Sequence, residues 1–489
     1  MSDSNKSAPP APPSFQRRRM LGLAGGGVLA SAFGVGQLGS LLLAPGAAMA
    51  AEPDYKALVC LFLHGGNDGM NTVVPTDSAR YAQYAGVRGS LALPKSSLIA
   101  LTGTDYGLHP AMSALSAAWA DGALAPLFNV GPLFSPLSKA QYRAANATDP
   151  IIPASLFSHS DQSALWETAT TSTLTSTGWG GRASQVLATV NPVIALSNGG
   201  RFGLSSKSAA LGLPGPGSGF GLEGFGASDL AWAPVAAGKA ALDAMYAEPQ
   251  SNVLTEAFAR MHRESADISG RLEPLVKIKP GSPQANAAID KAFGALTADG
   301  ELVTPLARQL YQIAKLIAGN ATVKGNRQIF LAGMGGFDTH GGQIDATVLQ
   351  GNHAELLKQV GDASAAFYQA MKALGMSEQV TLFTQSDFGR TFKPNNSKGT
   401  DHAWGNHHVI LGGAVKGRTT YGVYPSLELG GADDVGVNEW EKQGRWIPTS
   451  SVDQYAATLL QWFGASGTEL DAILPNLGNF GSRRALGFL

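Results

Sequence analysis

Five largely apolar runs recur along the chain, and helix-type periodicity separates them. The runs cover residues 57–63, 123–130, 193–196, 328–332 and 379–384. Runs of this kind predict strands that are buried on both faces, as in a parallel sheet. Helical spacing of apolar positions occupies residues 110–119, 306–318 and 352–374. Strands that alternate with helices predict an α/β fold, with a central, mostly parallel sheet flanked by helices.

Two segments depart from this alternation. Residues 207–229 are Gly-rich, and Gly219, Gly221 and Gly224 have the spacing of a dinucleotide-binding motif. No predicted strand precedes them and no helix clearly follows, so the stretch is interpreted as a flexible insertion loop. Residues 240–300 have a helical and more charged pattern, which predicts a cap packed on the sheet. Both segments are predicted to belong to one domain over residues 51–489.

The first 50 residues have the pattern of an export signal. Arg17, Arg18 and Arg19 precede a run without charge that extends from Leu21 to residue 50. A basic region, an apolar stretch and the small-residue site Ala48-Met49-Ala50 predict a cleaved secretory signal. The paired arginines resemble the twin-arginine type. They predict that the twin-arginine translocase exports the folded protein to the periplasm or out of the cell.

A single membrane-spanning helix is the alternative for this segment, because the uncharged run exceeds the roughly 20 residues that a span needs. Its many glycines make it only mildly hydrophobic. Cleavage is therefore favoured, and no stable membrane span is expected in the processed protein.

Composition narrows the range of partners. The chain has 35 Lys and Arg against 36 Asp and Glu, so its net charge is −1. Binding to a phosphate backbone needs a basic excess, so nucleic acid is not expected as a partner. The single cysteine, Cys60, excludes an internal disulfide framework and a Cys-based metal cluster.

Four polar clusters follow predicted buried strands, which is where ligands bind in open α/β sheets. The first covers residues 64–71 and contains Asp68 in a Gly-rich turn. A carboxylate in such a turn reaches a cation without steric hindrance. An ordinary Asx turn explains Asn67-Asp68-Gly69 equally well.

The second cluster covers residues 157–162, where Ser158 or Ser160 lies at the start of a predicted helix. The dipole of a helix N-terminus favours a serine alkoxide and an anionic ligand. A plain N-cap serine is the simpler explanation, and the pattern does not decide which serine would be the nucleophile.

The third and fourth clusters hold four of the nine histidines of the chain. Asp338 and His340 lie two residues apart, so in extended backbone their side chains point to one face. Residues 386–408 add further candidates, which are Asp387, Asp401, His402 and His407. Carboxylates with imidazoles predict a metal site, and mixed Asp/His ligation suits zinc or manganese better than magnesium. A hydrogen-bonded structural histidine is the alternative for any one of them.

The segments 62–75, 335–343 and 386–414, behind a twin-arginine signal, resemble a large uncharacterised bacterial family, domain of unknown function 1501. That family is itself a distant relative of the alkaline phosphatase/sulfatase superfamily. The resemblance covers most of the chain after residue 50, and Gly389-Arg390-Thr391 with residues 399–402 is its most specific part. It implies an alkaline-phosphatase-like α/β fold. In the superfamily, Asp/His segments hold two metals beside a Ser or Thr nucleophile.

The matching positions follow the superfamily's order along the chain: Asp68, Ser158, Asp338 with His340, Asp387, and His402 or His407. Two departures stand out. The superfamily usually has Asp-x-x-x-His in place of Asp338-x-His340, and it often has Asp-His in place of Asp387-Phe388. The cysteine signature of sulfatases is absent. The resemblance therefore leaves open whether both metal sites persist, and whether the ester would be a phosphate or a sulfate.

Two hypotheses of function follow. In the first, the protein is an exported metal-dependent hydrolase of phosphate or sulfate esters, in which Ser158 attacks and Arg390 holds the anionic group of a small ester or glycan. In the second, it is a non-catalytic exported binding protein on the same fold. An aromatic tail fits the second hypothesis equally well, unless its rings are ordinary core residues: Trp440, Trp446, Trp462 and Phe463. A serine esterase of the α/β-hydrolase type is disfavoured, because no Gly-x-Ser-x-Gly motif is present.

The sequence therefore predicts one cleft at the carboxyl edge of the sheet. Loops that leave neighbouring strands converge there, and carboxylates brought together require a cation. The predicted metal ligands are Asp68, Asp338, His340, Asp387, Asp401, His402 and His407, with Ser158 and Arg390 beside them. This set exceeds the three or four protein groups, roughly, that one metal needs.

Overall fold

The computed structural model describes residues 54–489, apart from residues 147, 222, 223 and 226. The predicted signal, residues 1–50, lies outside the described residues and stays a prediction. Within the described part of the chain, no helix combines the length and the apolar character that crossing a membrane requires.

A nine-stranded sheet forms the centre of the fold, and two small sheets lie outside it. In chain order, the strands are β1 (Lys56–Leu63), β2 (Val73–Pro75), β3 (Ile99–Ala100), β4 (Tyr106–Leu108), β5 (Leu124–Gly131), β6 (Ile194–Ala195), β7 (Leu211–Gly212), β8 (Thr297–Ala298), β9 (Glu301–Leu302), β10 (Arg327–Met334), β11 (Val380–Ser386), β12 (Asn406–Leu411), β13 (Tyr421–Gly422) and β14 (Ser450–Ser451). The large sheet has the order β13-β5-β12-β11-β1-β10-β6-β7, and β14 pairs with β5.

Most neighbouring strands of the large sheet are parallel. β1 pairs in parallel with both β10 and β11, whereas β12 runs antiparallel to β11 and to β5. Each of the five apolar runs forms one of its strands, so the predicted mostly parallel α/β sheet is confirmed. β12 follows a polar segment and was not predicted as a strand.

Burial on both faces explains why these runs are unbroken. Along β1, Ala57, Val59 and Leu61 belong to one hydrophobic cluster, and Leu58 and Cys60 belong to the cluster on the other face. Because side chains alternate between the faces of a strand, a strand that is covered on both sides favours apolar residues at successive positions.

Helices cover the sheet. In chain order they are α1 (Gly69–Thr72), α2 (Ser78–Arg88), α3 (Ser116–Ala120), α4 (Lys139–Ala144), α5 (His159–Thr168), α6 (Trp179–Val186), α7 (Ala227–Leu230), α8 (Ala233–Ala247), α9 (Val253–Val276), α10 (Ala287–Phe293), α11 (Pro305–Ala318), α12 (Asn320–Val323), α13 (Asn352–Ala373), α14 (Val452–Phe463) and α15 (Gly467–Ile473). Short 3-10 helices occupy Gly89–Leu91, Lys95–Ser97, Pro110–Leu115, Gly294–Leu296, Ser377–Gln379 and Leu477–Phe480.

Two of the three predicted helices are found as α11 and α13, each within one residue of the predicted ends. The third, over residues 110–119, is a 3-10 helix followed by α3. Its backbone kinks at Met112, where φ is −94° and ψ is 20°.

Both segments that depart from the strand–helix alternation, residues 207–229 and 240–300, contain regular secondary structure. The Gly-rich stretch includes β7, which extends the large sheet beside β6. The predicted cap, residues 240–300, contains most of α8 together with α9 and α10. The assignment of all these parts to one domain stays a prediction.

The central strands end together at one edge of the sheet. Leu63, the last residue of β1, pairs with Met334 of β10 and with Ser386 of β11. β12 is antiparallel to β11, so it begins at the same edge with Asn406. The loops after β10 and β11, and the loop before β12, therefore converge there.

Candidate metal centre

Three histidines and one aspartate come together at this edge. His159, Asp338, His340 and His402 each offer one ligand atom, and these atoms all lie within 4.8 Å of one another. His159 begins α5, Asp338 and His340 follow β10, and His402 precedes β12. The structure thus assembles the cluster from three separate segments.

One carboxylate oxygen lies at the centre of the cluster. Asp338 Oδ1 is 3.2 Å from His159 Nε2, 3.1 Å from His340 Nε2 and 3.4 Å from His402 Nε2. The Nε2 atoms of His340 and His402 are only 2.7 Å apart. All three imidazoles therefore present the same ring nitrogen to a shared point.

The other ring nitrogen of each histidine faces an acceptor. His159 Nδ1 lies 2.7 Å from Asp387 Oδ2, and His340 Nδ1 lies 2.9 Å from Asp401 Oδ1. His402 Nδ1 donates to the carbonyl oxygen of Phe157, 2.7 Å away. These acceptors favour a proton on each Nδ1, which leaves the Nε2 lone pairs directed into the cluster. Metal-binding histidines are held in this manner.

The backbone of Phe157 is strained where it holds His402. Its φ is 73°, which is rare for a bulky residue and costs about 1–3 kcal/mol. Arg445 lies over the Phe157 ring at 5.1 Å and donates through Nε to the His402 carbonyl at 2.9 Å. Both ends of the Phe157–His402 contact are thereby fixed.

The electrostatics of the cluster suit a cation. Burial alone would raise the pKa of Asp338, but the hydrogen bond and charge of Arg390 hold that pKa at about 2, so the carboxylate is ionised. The hydrogen bond to Asp387 raises the pKa of His159, whereas burial lowers the pKa of His402. Although His159 Nε2 lies near Asp338, this buried atom has no hydrogen-bond partner among the described residues. The imidazole and carboxylate donors fit zinc or a similar divalent ion.

Close backbone packing sets the loop after β10 in place. A Cβ at Gly65, whose φ is 113°, would collide with the backbone nitrogen of Asp338. A Cβ at Gly399 would collide with the backbone of Thr339 and His340. Glycine at these two positions therefore allows the loops after β1 and β11 to pack closely against the loop after β10.

Over residues 242–439, the chain matches a family described as protein of unknown function (DUF1501). The match supports the resemblance to that family and includes Asp338, His340 and His402, whereas His159 and Ser158 precede it. No curated protein matches the chain. Twin-arginine export and the relationship to the alkaline phosphatase/sulfatase superfamily stay predictions.

The structure does not bring Asp68 into the cluster as the sequence predicts. Asp68 is fully buried, where it forms an ion pair with Arg88 and accepts a 2.6 Å hydrogen bond from Gln343 Nε2. The guanidinium of Arg88 supplies the positive charge that a metal was expected to supply. Although burial would raise the pKa of Asp68, Arg88 and its other neighbours hold that pKa below its usual value.

Asp68 instead supports the loops that carry the ligands. Gln343 Oε1 accepts from Thr339 Oγ1 at 3.1 Å and from Thr400 Oγ1 at 2.7 Å. Thr339 lies between Asp338 and His340, and the backbone nitrogen of Thr400 donates to its carbonyl at 3.1 Å. Asp68 thus holds Gln343, which joins the two loops.

Arg390 has a different role from the predicted anion clamp. Its guanidinium is fully buried and donates to the backbone carbonyls of Gly65, Gly66, Phe337 and Thr400, and to Asp338 Oδ1 at 2.5 Å. These contacts occupy the planar fork of donors. Arg390 therefore ties the loops after three strands together and is not available to bind a substrate anion.

Two predicted ligands, Asp387 and Asp401, contact the histidines of the cluster and not its centre. Asp387 is buried, contacts His159 and also accepts from the backbone nitrogen of Gly65 at 3.1 Å. Asp401 contacts His340 and accepts from Asn395 Nδ2 at 3.0 Å. Both carboxylates hold histidines and do not join the group of four ligand atoms.

His407 is not part of the cluster either. It lies in β12, where its ring is buried against Phe128 and Tyr424, and its Nδ1 accepts from the backbone nitrogen of Asn129 at 3.1 Å. Burial lowers its pKa to about 3. His407 lies outside the cluster because β12, which the sequence did not predict, directs its side chain into the core.

His159 is the cluster member that sequence reasoning missed. It lies between Ser158 and Ser160, the two candidate nucleophiles of the second polar cluster. Ser158 is the N-cap residue of α5, but its side chain makes no capping bond, and its Oγ lies 3.3 Å from Ser160 Oγ. A search for histidines after predicted strands, extended to this segment, would have found His159.

Proposed function

We propose that this cluster binds one divalent metal ion and that the protein is an exported hydrolase of phosphate or sulfate esters. The observation that carries the proposal is the convergence of three Nε2 atoms and one ionised carboxylate within 4.8 Å. Four groups match the three or four protein ligands, roughly, of a single zinc-type site. Zinc or manganese is the expected metal, because magnesium prefers oxygen ligands alone.

The residues around the site define how it would act. The side chains of Asp338 and His340 are 48% and 45% exposed, so a small ester can approach them from solvent. A bound divalent metal supplies polarisation of an ester oxygen. Asp387, Asp401 and the Phe157 carbonyl keep the three Nδ1 protons in place, so the Nε2 lone pairs stay directed inward. Ser158 is adjacent to His159 at the start of α5, where the helix dipole favours negative charge.

A non-catalytic exported binding protein is the second candidate. Two observations favour it. Arg390 is fully occupied by the protein, and Phe388 packs its ring against His159 and His402 at 4.7 and 4.6 Å, where the superfamily often has a further histidine ligand. Of the aromatic tail, Trp446 and Phe463 are core residues, whereas Trp440 is exposed.

Metal analysis together with an ester assay tests the proposal. The purified protein is expected to contain about one zinc or manganese per chain and to hydrolyse p-nitrophenyl phosphate or p-nitrophenyl sulfate. Asp338→Asn should abolish both properties, because the ionised oxygen at the centre is lost. Asp387→Asn should weaken metal binding on the order of 10–100-fold, as for other partners of metal-bound histidines.

Asp345→Asn is the matched control, since Asp345 is exposed and lies on the same segment as Asp338. It should keep both the metal and the activity. Metal without hydrolysis of either ester would favour the binding protein. A metal-free protein, or an Asp338→Asn variant that keeps its metal, would contradict the proposed site.

Export is part of the proposal, and it rests on Arg17 and Arg18 before the uncharged run. Replacement of both arginines by lysine is expected to leave unprocessed precursor in the cytoplasm, because the twin-arginine route reads that pair. Cell fractionation and the mass of the product measure this. A doubly substituted protein that reaches the periplasm at the normal rate would show that another route exports it.

A further inference from the structure

A cavity of about 410 Å³ lies beside the segment that holds His402. Residues within 142–146 and 152–156 line it, and the next residue, Phe157, accepts a hydrogen bond from His402 through its carbonyl oxygen. The volume falls in the range of small-molecule sites, about 300–1,000 Å³. The cavity and the metal centre therefore border the same stretch of backbone.

The lining of this cavity combines an aromatic ring, apolar groups and positive charge. Tyr142 and Arg143 line it from α4, Asn146 and Ser155 add polar groups, and Ile152 is one of its apolar residues. None of the lining residues that the structure describes is acidic. Such a lining suits an organic anion, because a carboxylate pairs with a guanidinium while the apolar part of the ligand packs on the ring.

The guanidinium of Arg143 is available to a ligand. Its Nη1 lies 3.7 Å from Glu441 Oε2, which is too far for a hydrogen bond, and the Arg143 side chain is 45% exposed. The same Glu441 oxygen accepts from the backbone nitrogens of Val437 and Asn438 at 3.0 and 3.3 Å. An exposed ion pair of this kind contributes little, so a ligand can replace it at little cost.

Arg445 brings a second guanidinium to the region between the cavity and the cluster. Burial raises the pKa of Tyr142 at the cavity, and the charges of Arg143 and Arg445 oppose that rise. The charge of Arg445 also helps to hold the pKa of Asp401, which contacts the cluster, below its usual value although burial would raise it. Arg445 therefore lies near both sites.

The terminal nitrogens of Arg445 have no acceptor in the part of the chain that the structure describes. The side chain donates only through Nε, to the His402 carbonyl at 2.9 Å. The nearby carboxylate of Asp434 is occupied, because its two oxygens accept from the backbone nitrogens of Gly430, Gly436, Gly444 and Arg445. Burial lowers the pKa of Arg445, as expected for a cation that water reaches only in part. An anion would supply the missing partner.

We propose that this cavity binds an organic anion, with Arg143 and Arg445 paired to its charge and Tyr142 packed against its apolar part. In the hydrolase, this anion is a second charged group of the substrate. The substrate class is then a phosphate or sulfate ester that also has a carboxylate, with the ester at the metal centre. That second statement rests on the proposed function, whereas the binding of an organic anion does not.

Isothermal titration calorimetry with benzoate tests the anion site on the full chain. Benzoate offers a carboxylate to the guanidinium groups and a ring to Tyr142, and benzamide is its neutral match. The protein is treated with a chelator and dialysed, so that the carboxylate cannot bind a metal. Benzoate should bind with a Kd on the order of 1 mM, and at least about tenfold more tightly than benzamide.

Substitution of the two arginines tests which groups hold the anion. Arg143→Gln and Arg445→Gln should each weaken benzoate binding about tenfold and leave benzamide binding unchanged. Arg143 is exposed and does not contact His402, so its variant keeps the test valid if Arg445→Gln disturbs the metal centre. Arg260→Gln is the matched control, because Arg260 is exposed and lies outside the cavity, and it should bind benzoate as the wild type does.

Benzoate that binds no more tightly than benzamide would overturn the anion site, and so would an Arg143→Gln variant with wild-type affinity for benzoate.

Kinetics of the metal-loaded protein test the substrate class. KM should be about tenfold lower for 4-carboxyphenyl phosphate or sulfate than for the phenyl ester without the carboxylate, and Arg143→Gln should abolish this preference. Equal KM values for the two esters would overturn the substrate class. Benzoate binding in a protein that hydrolyses neither ester would uphold the anion site and contradict the hydrolase.

Discussion

Arg390→Leu is expected to lower the free energy of unfolding by roughly 3–5 kcal/mol and to prevent metal binding. The buried guanidinium donates to four backbone carbonyls and to Asp338. Leucine would leave these acceptors buried without partners, which costs about 1–3 kcal/mol for each group that water does not reach. The loops after β1, β10 and β11 would then lose the side chain that hydrogen-bonds to all three of them. Urea unfolding and metal content measure the two effects.

The same substitution distinguishes this role from an anion clamp. A clamp at the surface of the site would leave stability unchanged and raise only KM for the ester. Arg143→Leu is the control, because Arg143 is 45% exposed and its carboxylate partner is 3.7 Å away. Its free energy of unfolding should change by less than about 0.5 kcal/mol. Arg390→Leu with wild-type stability would show that its hydrogen bonds contribute little.

Acidification from pH 6.5 to 4.5 is expected to cost the metal-free protein on the order of 4 kcal/mol of stability. Burial lowers the pKa of His109, His407 and His408 to about 3 and that of His353 to about 4. These histidines stay neutral in the folded state but take up protons near pH 6.5 when unfolded. Keeping these histidines neutral therefore costs the folded protein nothing above pH 6.5. As the pH falls to 4.5, each of them lowers the free energy of unfolding by about 2 kcal/mol.

Two buried carboxyl groups oppose this loss. Burial raises the pKa of Glu167 to about 7 and the pKa of Asp453 to about 8. Each group binds its proton at a higher pH in the folded state than in the unfolded state. Its protonation therefore stabilises the folded protein as the pH falls, and the two groups together offset about half of the stability that the four histidines lose.

Urea unfolding of chelator-treated protein at pH 6.5, 5.5 and 4.5 measures the balance. His408→Phe should reduce the slope of stability against pH by about 1.4 kcal/mol per unit, the value for one proton. The ring of His408 packs at 4.7 Å from Trp166, so phenylalanine can occupy its place. An unchanged slope in this variant would show that His408 titrates normally in the folded protein.

The strands of the sheet follow from local sequence, and β12 shows the limit of that approach. β1 is apolar at every position after Lys56, because both of its faces are buried. β12 begins with Asn406, His407 and His408 and is equally buried. Its polar side chains find partners such as Asn129 and Thr384 on β5 and β11. Those partners lie elsewhere in the chain, so periodicity could not reveal them.

The candidate metal centre also could be predicted only in part from local sequence. Asp338 and His340 stand two residues apart after a predicted strand, and His402 lies in the next polar segment, so the sequence alone located three of the four cluster residues. The fourth, His159, meets Asp387 across 228 positions. No local pattern encodes that distance.

The sequence by itself determined the α/β class, the principal strands and the edge at which polar groups collect, because hydrophobic periodicity and strand ends are local properties. Only the tertiary structure decided which of those groups share a point. Arg88 neutralises Asp68, the loop carbonyls occupy Arg390, and β12 buries His407. Each of these outcomes depends on which charge or acceptor the folded chain brings into contact, because hydrogen bonds form only at about 3 Å and salt screens exposed charges beyond roughly 8–10 Å.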